Sequence, residues 1–170
     1  MRVHAIFRNL LMVTALAATF LMSVPAGLAA APVQGPDLQV RGSFTPAQIT
    51  RGKTVRATVV LTIPGGYHAN ANKVLESYLI PTSLKLTTSG GATVGAVSYP
   101  RGVLKKFGFS GDKSLSVYEG RVTMTFNVTV PASFSGNELL VSGELRVQAC
   151  DDKTCFAPKT LKLGIRGQVK

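Results

Sequence analysis

The two cysteines of this 170-residue chain lie close together near its C-terminal end, as Cys150 and Cys155. The four residues between them, Asp-Asp-Lys-Thr, are typical of a turn, because Asp side chains accept hydrogen bonds from backbone N–H groups two residues on. The flanking stretches 144–149 and 160–165 have the composition of β-strands. We therefore predict a hairpin in which the two sulfurs face each other and can form a disulfide.

Such a pair serves either as a structural cross-link or as a redox centre. On the chain-entropy model, a six-residue loop contributes only about 2 kcal/mol, whereas a loop of about 100 residues contributes nearly 5. Alternation along residues 141–150 places Cys150 on the polar face of its strand, and Cys155, opposite it, shares that accessible side. A partner's thiolate needs such access to the sulfurs. The pattern favours a redox centre, and the structural disulfide remains the alternative.

The strand after the cysteines predicts an irregularity in the hairpin. Its apolar residues Leu161, Leu163 and Ile165 have the same parity as Cys155, although Cys155 is expected on the polar side. The strand pairing must therefore shift by one residue around Ala157-Pro158. A β-bulge at the proline is the expected cause.

The first 30 residues resemble an export signal. Arg2 and Arg8 precede an apolar run at 10–24, which is shorter than the roughly 20 residues of a membrane-spanning helix and is followed by small residues. We predict a cleaved signal peptide at 1–30, a flexible leader at 31–37 and a single domain at 38–170. The predicted location is the bacterial periplasm, where disulfides persist.

The charge of the chain is strongly basic but scattered. Loss of Arg2 and Arg8 with the signal peptide lowers the formal net charge from +11 to +9. The longest basic run is Lys105-Lys106, the chain has no Trp, and no recognition helix is evident, so we predict no nucleic-acid partner. A solvated basic surface is the main interpretation, and an anionic membrane surface or an acidic protein partner is the alternative.

Short segments with two-residue alternation fill the predicted mature chain, separated by turns rich in Gly and Pro. This pattern predicts eight or nine strands, no long helix and an all-β fold, an antiparallel β-sandwich. The segments are 38–44, 55–63, 79–86, 93–99, 114–118, 121–130, 139–149 and 160–166.

Several short motifs occur in a fixed order along the chain. They are Pro64-Gly-Gly-Tyr-His-Ala-Asn, Ile80-Pro-Thr-Ser-Leu, Tyr99-Pro, Val117-Tyr-Glu-Gly and Val147-Gln-Ala-Cys-x-x-x-x-Cys-x-x-Pro. Together, over roughly residues 38–165, they resemble the periplasmic N-terminal domain of the thiol:disulfide interchange protein DsbD. The resemblance implies an immunoglobulin-like β-sandwich that transfers electrons through a redox-active Cys150–Cys155 pair.

The resemblance also implies partners and roles. In that family the domain receives reducing equivalents from a thioredoxin-like domain, supplied by a membrane electron relay. It passes them to oxidised envelope proteins such as a disulfide isomerase or a cytochrome c maturation protein. The second cysteine, here Cys155, forms the mixed disulfide with a partner and the first, Cys150, resolves it. The implied activity is that of a thiol:disulfide oxidoreductase in a protein-disulfide reductase pathway.

Two features depart from the family pattern. The family chain continues into membrane helices and a thioredoxin-like domain, whereas this sequence ends at Lys170, so we expect its partners to act in trans. Val147 also stands where an aromatic residue is common. The alternative function is a non-catalytic envelope binding or assembly module whose hairpin disulfide is purely structural.

The family has an aromatic cap loop that shields the disulfide. The matching stretch is 104–109, in which Phe107 and Phe109 are the expected shielding residues. Their spacing of two also fits one face of a strand, so ordinary core residues are the alternative.

We expect no cofactor and no metal. The predicted mature chain has one histidine, His68, so His-rich and Cys2His2 metal sites cannot form. A soft Cu(I) site made of Cys150, Cys155 and His68 is a minor alternative. His68 itself is expected to be a polar loop residue rather than a base for a cysteine.

Overall fold

A computed structural model describes residues 34–170. The predicted signal peptide therefore lies outside the described residues. Among residues 34–170, no helix has the length and apolar character needed to cross a membrane. The described residues consist of short and long β-strands joined by turns and one short helix.

Twelve strands and one 3-10 helix are found in residues 34–170, numbered here in chain order. They are β1 (Gln39–Thr45), β2 (Gln48–Ile49), β3 (Thr54–Thr62), β4 (His68–Asn70), β5 (Ser83–Thr88), β6 (Thr93–Val94), β7 (Val103–Lys105), the 3-10 helix (Gly108–Ser110), β8 (Leu115–Tyr118), β9 (Arg121–Thr129), β10 (Glu138–Val147), β11 (Ala149–Cys150) and β12 (Lys159–Val169).

The described strands form three four-stranded sheets. The first has the order β1-β3-β9-β6, the second β2-β12-β10-β5 and the third β11-β4-β8-β7. Neighbouring strands are antiparallel, with the exception of β2, which runs parallel to β12. The predicted all-β fold, an immunoglobulin-like antiparallel sandwich, is confirmed.

The core lies between the first and second sheets. Alternate residues of β3, Val55, Ala57, Val59 and Leu61, are buried, as the two-residue periodicity predicts. The sheets approach closely at Gly42 of β1, where an added Cβ would lie 2.7 Å from Cδ1 of Ile165 on β12. A side chain at this position would clash with Ile165 and force it to move.

Some strand boundaries differ from the prediction. The segment predicted to begin at Leu79 becomes a strand only at Ser83, and the segment predicted at 93–99 contains a named strand only at Thr93–Val94. Strands β2, β4 and β7 were not predicted, because two or three residues are too few to show a periodicity.

The third sheet positions the cysteines. The segment predicted as one strand over 139–149 is interrupted at Gln148, where the chain leaves the second sheet and enters the third. Strand β11 pairs with β4 in the register Ala149 opposite Ala69 and Cys150 opposite His68. Cys150 therefore belongs to a different sheet from the strand that precedes it.

Candidate functional site

Cys150 and Cys155 are joined by a disulfide, with an S–S distance of 2.05 Å and a Cα–Cα distance of 3.9 Å. In the turn between them, Oδ1 of Asp151 accepts hydrogen bonds from the backbone N–H groups of Lys153 and Thr154, each at 2.8 Å. These two bonds hold the pKa of the Asp151 carboxyl below its usual value. The predicted hairpin and its aspartate-stabilised turn are confirmed.

The predicted one-residue shift in the hairpin is also present. Val147 pairs with Lys159, whereas nearer the turn Cys150 faces Cys155 and the N–H of Phe156 donates to the carbonyl of Ala149 at 2.9 Å. Two residues, Ala157 and Pro158, therefore stand opposite the single residue Gln148. This irregularity lies at the position that the spacing of Leu161, Leu163 and Ile165 predicts.

The two sulfur-bearing residues differ in access to solvent. Cys150 is 0% exposed, whereas Cys155 is partly exposed. The prediction that Cys150 shares the accessible face is wrong, because the strand alternation stops at Gln148 and both Ala149 and Cys150 are buried. An approaching thiolate can therefore reach Cys155 more readily than Cys150.

A polar network behind the disulfide connects three of the sequence motifs. Oε1 of Gln148 accepts hydrogen bonds from Nδ2 of Asn70 at 3.1 Å and from the N–H of Ile80 at 3.4 Å, while its Nε2 donates to the carbonyl of Phe156 at 3.2 Å. The Thr82 hydroxyl donates to the carbonyl of Asn70 at 2.6 Å. These bonds connect Gln148, between β10 and β11, to β4, to the segment before β5 and to Phe156 beside Cys155, which fixes the position of the disulfide.

His68 lies directly across the β4–β11 pair from Cys150 and is 1% exposed. The expectation of a polar loop histidine is therefore wrong. Its Nε2 atom is buried and has no hydrogen-bond partner among the described residues. Burial lowers the pKa of His68, although the nearby carboxylates of Glu119 and Asp152 act in the opposite direction.

The aromatic stretch before β8 forms a loop beside the cysteine hairpin. Phe107 precedes the 3-10 helix, and the Ser110 hydroxyl accepts a hydrogen bond from the Phe107 N–H at 3.0 Å. An added Cβ at Gly108 would lie 3.8 Å from the carbonyl oxygen of Asp152, which places this loop against the turn between the cysteines. Neither Phe107 nor Phe109 belongs to a strand, so their spacing of two does not reflect one face of a strand.

The rings of this loop stack over His68. The centroids of His68 and Phe107 are 3.9 Å apart at an interplanar angle of 12°, and those of Phe107 and Phe109 are 5.5 Å apart at 9°. Phe107 is partly buried against the small cluster of Leu79, Leu115 and Val117, while Phe109 is 38% exposed. The stack therefore runs from the surface inward to the residue that faces Cys150.

No group of three or more His, Cys, Asp or Glu side chains in residues 34–170 is arranged to hold a metal ion. Of the three residues considered as Cu(I) ligands, Cys150 and Cys155 are joined in a disulfide, and His68 lies opposite Cys150.

The family model described as the N-terminal domain of the thiol:disulfide interchange protein DsbD matches residues 37–165 of this chain. The chain belongs to the DsbD N-terminal family. This family functions in thiol–disulfide exchange, and DsbD N-terminal domains are periplasmic. No curated protein matches the chain.

Several solved structures are similar to this DsbD N-terminal family member at low identity. The reduced DsbD N-terminal domain of Neisseria meningitidis is 20% identical, with 66% of this chain and 77% of that chain covered and a TM-score of 0.42. The N-terminal periplasmic domain of ScsB from Proteus mirabilis is 10% identical, with 76% and 45% covered and a TM-score of 0.48. A complex between the DsbD and PilB N-terminal domains of Neisseria meningitidis is 17% identical, with 74% of this chain and 80% of that chain covered and a TM-score of 0.39.

Sequence reasoning missed two parts of the site in this DsbD N-terminal family member. The first is His68 opposite Cys150, and the second is the network of Asn70 and Gln148 behind the disulfide. Each of these residues stands within a quoted family motif, so the motifs themselves were the available signal. Their meeting in space depends on the third sheet, which has little periodicity in the sequence.

Proposed function

We propose that this protein is an exported thiol–disulfide exchange domain that works in the periplasm through a Cys150–Cys155 dithiol/disulfide. Its reducing equivalents come from a thioredoxin-like donor supplied by a membrane electron relay. Its acceptors are oxidised envelope proteins, such as a disulfide isomerase or a cytochrome c maturation protein. Residues 1–30 are the signal peptide, 31–37 the leader and 38–170 the exchange domain.

The observation that carries this proposal is the unequal exposure of the two joined cysteines. Exchange proceeds by attack of a thiolate on one disulfide sulfur through a mixed-disulfide intermediate. A partly exposed Cys155 next to a buried Cys150 supports a division of roles in which Cys155 meets the partner and Cys150 resolves the intermediate. The protein then acts as a thiol:disulfide oxidoreductase that needs no cofactor.

The aromatic loop supports a shielding role for Phe107 and Phe109. It lies against the turn between the cysteines and stacks on His68, the neighbour of Cys150. In this position the loop limits the reaction of the disulfide with small thiols and oxidants. A protein partner must displace or contact the loop to reach the sulfurs.

A transfer assay tests the proposed exchange. The reduced mature protein is mixed with an oxidised thioredoxin-like protein, and free thiols are then alkylated and counted by mass in both proteins. We expect two thiols to appear in the partner for each pair lost from this domain, because one dithiol is oxidised as one disulfide is reduced. The double variant Cys150→Ser, Cys155→Ser is the control. An absence of transfer to any thioredoxin-like protein would favour a structural disulfide.

A further inference from the structure

The buried imidazole of His68 has a position that packing alone does not explain. Residues directly opposed in antiparallel strands point to the same side, with Cβ atoms about 4.5–5.5 Å apart, and His68 and Cys150 are such a pair. Both are almost fully buried, and Nε2 of His68 has no hydrogen-bond partner among residues 34–170. A buried polar atom without a partner lowers the stability of a fold by about 1–3 kcal/mol. Its presence here therefore calls for an explanation, and a chemical role is one.

We propose that His68 accepts the thiol proton of Cys150 when that cysteine resolves a mixed disulfide. This inference rests on the exchange function proposed above and adds a residue to it. With the ring proton on Nδ1, the neutral imidazole presents Nε2 as a proton acceptor. Burial favours this neutral form, because it lowers the pKa of His68.

The step balances in atoms and electrons. The Cys155 thiolate first attacks a partner's disulfide, which forms a mixed disulfide and releases one partner sulfur as a thiolate. The Cys150 thiol then gives its proton to Nε2 of His68, and the Cys150 sulfur bonds to the Cys155 sulfur while the bond from Cys155 to the partner breaks. The second partner sulfur leaves as a thiolate. The partner has gained two electrons, and the imidazolium returns its proton to a thiolate or to water.

The buried cysteine needs such an acceptor more than the exposed one does. Burial in apolar surroundings raises the pKa of a thiol, and a thiol is a far weaker nucleophile than its thiolate. The carboxylates of Asp151, Asp152 and Glu119 lie near His68 and favour the imidazolium that the step creates, whereas the ammonium of Lys105 opposes it. Lys105 is also paired with Glu119 at 2.6 Å. An open cleft of about 280 Å³ lined by His68, Glu119 and Asp152 gives the proton a path to water.

The two sulfurs can be followed separately with an aromatic disulfide that releases a coloured thiolate. The reduced protein releases one equivalent when Cys155 attacks, at a rate that depends on reagent concentration. It releases a second equivalent when Cys150 resolves the adduct, at a rate that does not depend on reagent concentration. We expect His68→Phe, which keeps a ring for stacking, to slow the second phase on the order of 100-fold at neutral pH. The first phase should change little, and Tyr67→Phe, at the residue that precedes β4, is the matched control.

The pH profile separates proton transfer from packing. In the wild type, the second phase should be nearly constant above the lowered pKa of His68, because neutral imidazole is then present. In His68→Phe it should rise about tenfold per pH unit, with the thiolate fraction of Cys150. An equal decrease at every pH, or slowing of both phases, would overturn the role of His68 and leave exchange intact. Loss of the second phase in the wild type would instead contradict the exchange function itself.

A measurement on the wild type avoids dependence on a folded His68 variant. The other histidine of the chain, His4, lies in the predicted signal peptide, so the ring resonances of the mature protein belong to His68. In the reduced protein, a plot of their chemical shifts against pH should show a second inflection where Cys150 ionises, because neighbouring groups titrate together. That inflection should disappear in Cys150→Ala. Identical titration curves for the two proteins would also overturn the proposal.

Discussion

Cys150→Ser is expected to accumulate a mixed disulfide between Cys155 and a thioredoxin-like partner, while Cys155→Ser is expected to trap roughly tenfold less or none. Cys155 is partly exposed and can be reached by the partner, whereas Cys150 is buried beneath it. Without the Cys150 thiol, the mixed disulfide on Cys155 has no resolving group. The complexes are measured by non-reducing electrophoresis and mass spectrometry after the exchange is stopped with an alkylating agent.

Local charge favours the same assignment. Asp151 and Asp152 follow Cys150 directly, and negative charge disfavours a neighbouring thiolate. Lys153 and Lys159 lie near Cys155 in the sequence, but the ammonium of Lys159 donates to the backbone carbonyls of Gly35 and Pro36 at 3.4 and 3.1 Å. Exposure is therefore the stronger argument of the two.

The trapping experiment has two informative failures. A reversed pattern, with complexes from Cys155→Ser alone, would assign the partner-facing role to Cys150 and overturn this account of the hairpin. Complexes from neither variant, with a partner that the wild type reduces, would show that Cys155 does not form the intermediate. The double variant Cys150→Ser, Cys155→Ser should trap nothing in either case.

Removal of both cap phenylalanines, by Phe107→Ala and Phe109→Ala, is expected to speed reduction of the disulfide by glutathione about tenfold. The loop that carries them lies against the turn between the cysteines, so loss of the two rings opens a path to the sulfurs. The rate is measured from the appearance of free thiols under excess glutathione.

The matched control for this change is Leu104→Ala, because Leu104 lies in β7, ahead of the two rings, and is 62% exposed. Its disulfide should react at the wild-type rate. Phe107 also packs against Leu79 and Leu115, so some stability will be lost in the double variant. An unchanged reaction rate together with a large loss of stability would assign the two rings to packing and remove the shielding role.

The local parts of the site were predictable from the sequence. The turn between the cysteines follows from Asp151 and its neighbours, because an aspartate bonds to backbone groups only two or three residues away. The shift at Ala157-Pro158 follows from the parity of Leu161, Leu163 and Ile165. The long strands that form the core also show their two-residue periodicity in the sequence.

The burial of Cys150 and the position of His68 were not predictable in this way. The parity rule assumes one continuous strand, and the chain breaks that assumption at Gln148, whose side chain bonds to Asn70. His68 and Asn70 belong to a three-residue strand in which every residue is buried, so no alternation marks its faces. Their partners come from segments about 80 residues away, and only the folded third sheet brings them together.

The reduction potential of the Cys150–Cys155 pair tests the central claim, electron exchange through this hairpin, most directly. The mature protein is equilibrated with glutathione or dithiothreitol buffers of known potential, and the reduced fraction is counted by alkylation and mass. An exchange centre is expected within the range of thioredoxin-like partners, about −270 to −120 mV, because it must both accept and donate electrons. A value below about −300 mV, typical of structural disulfides, would contradict the account.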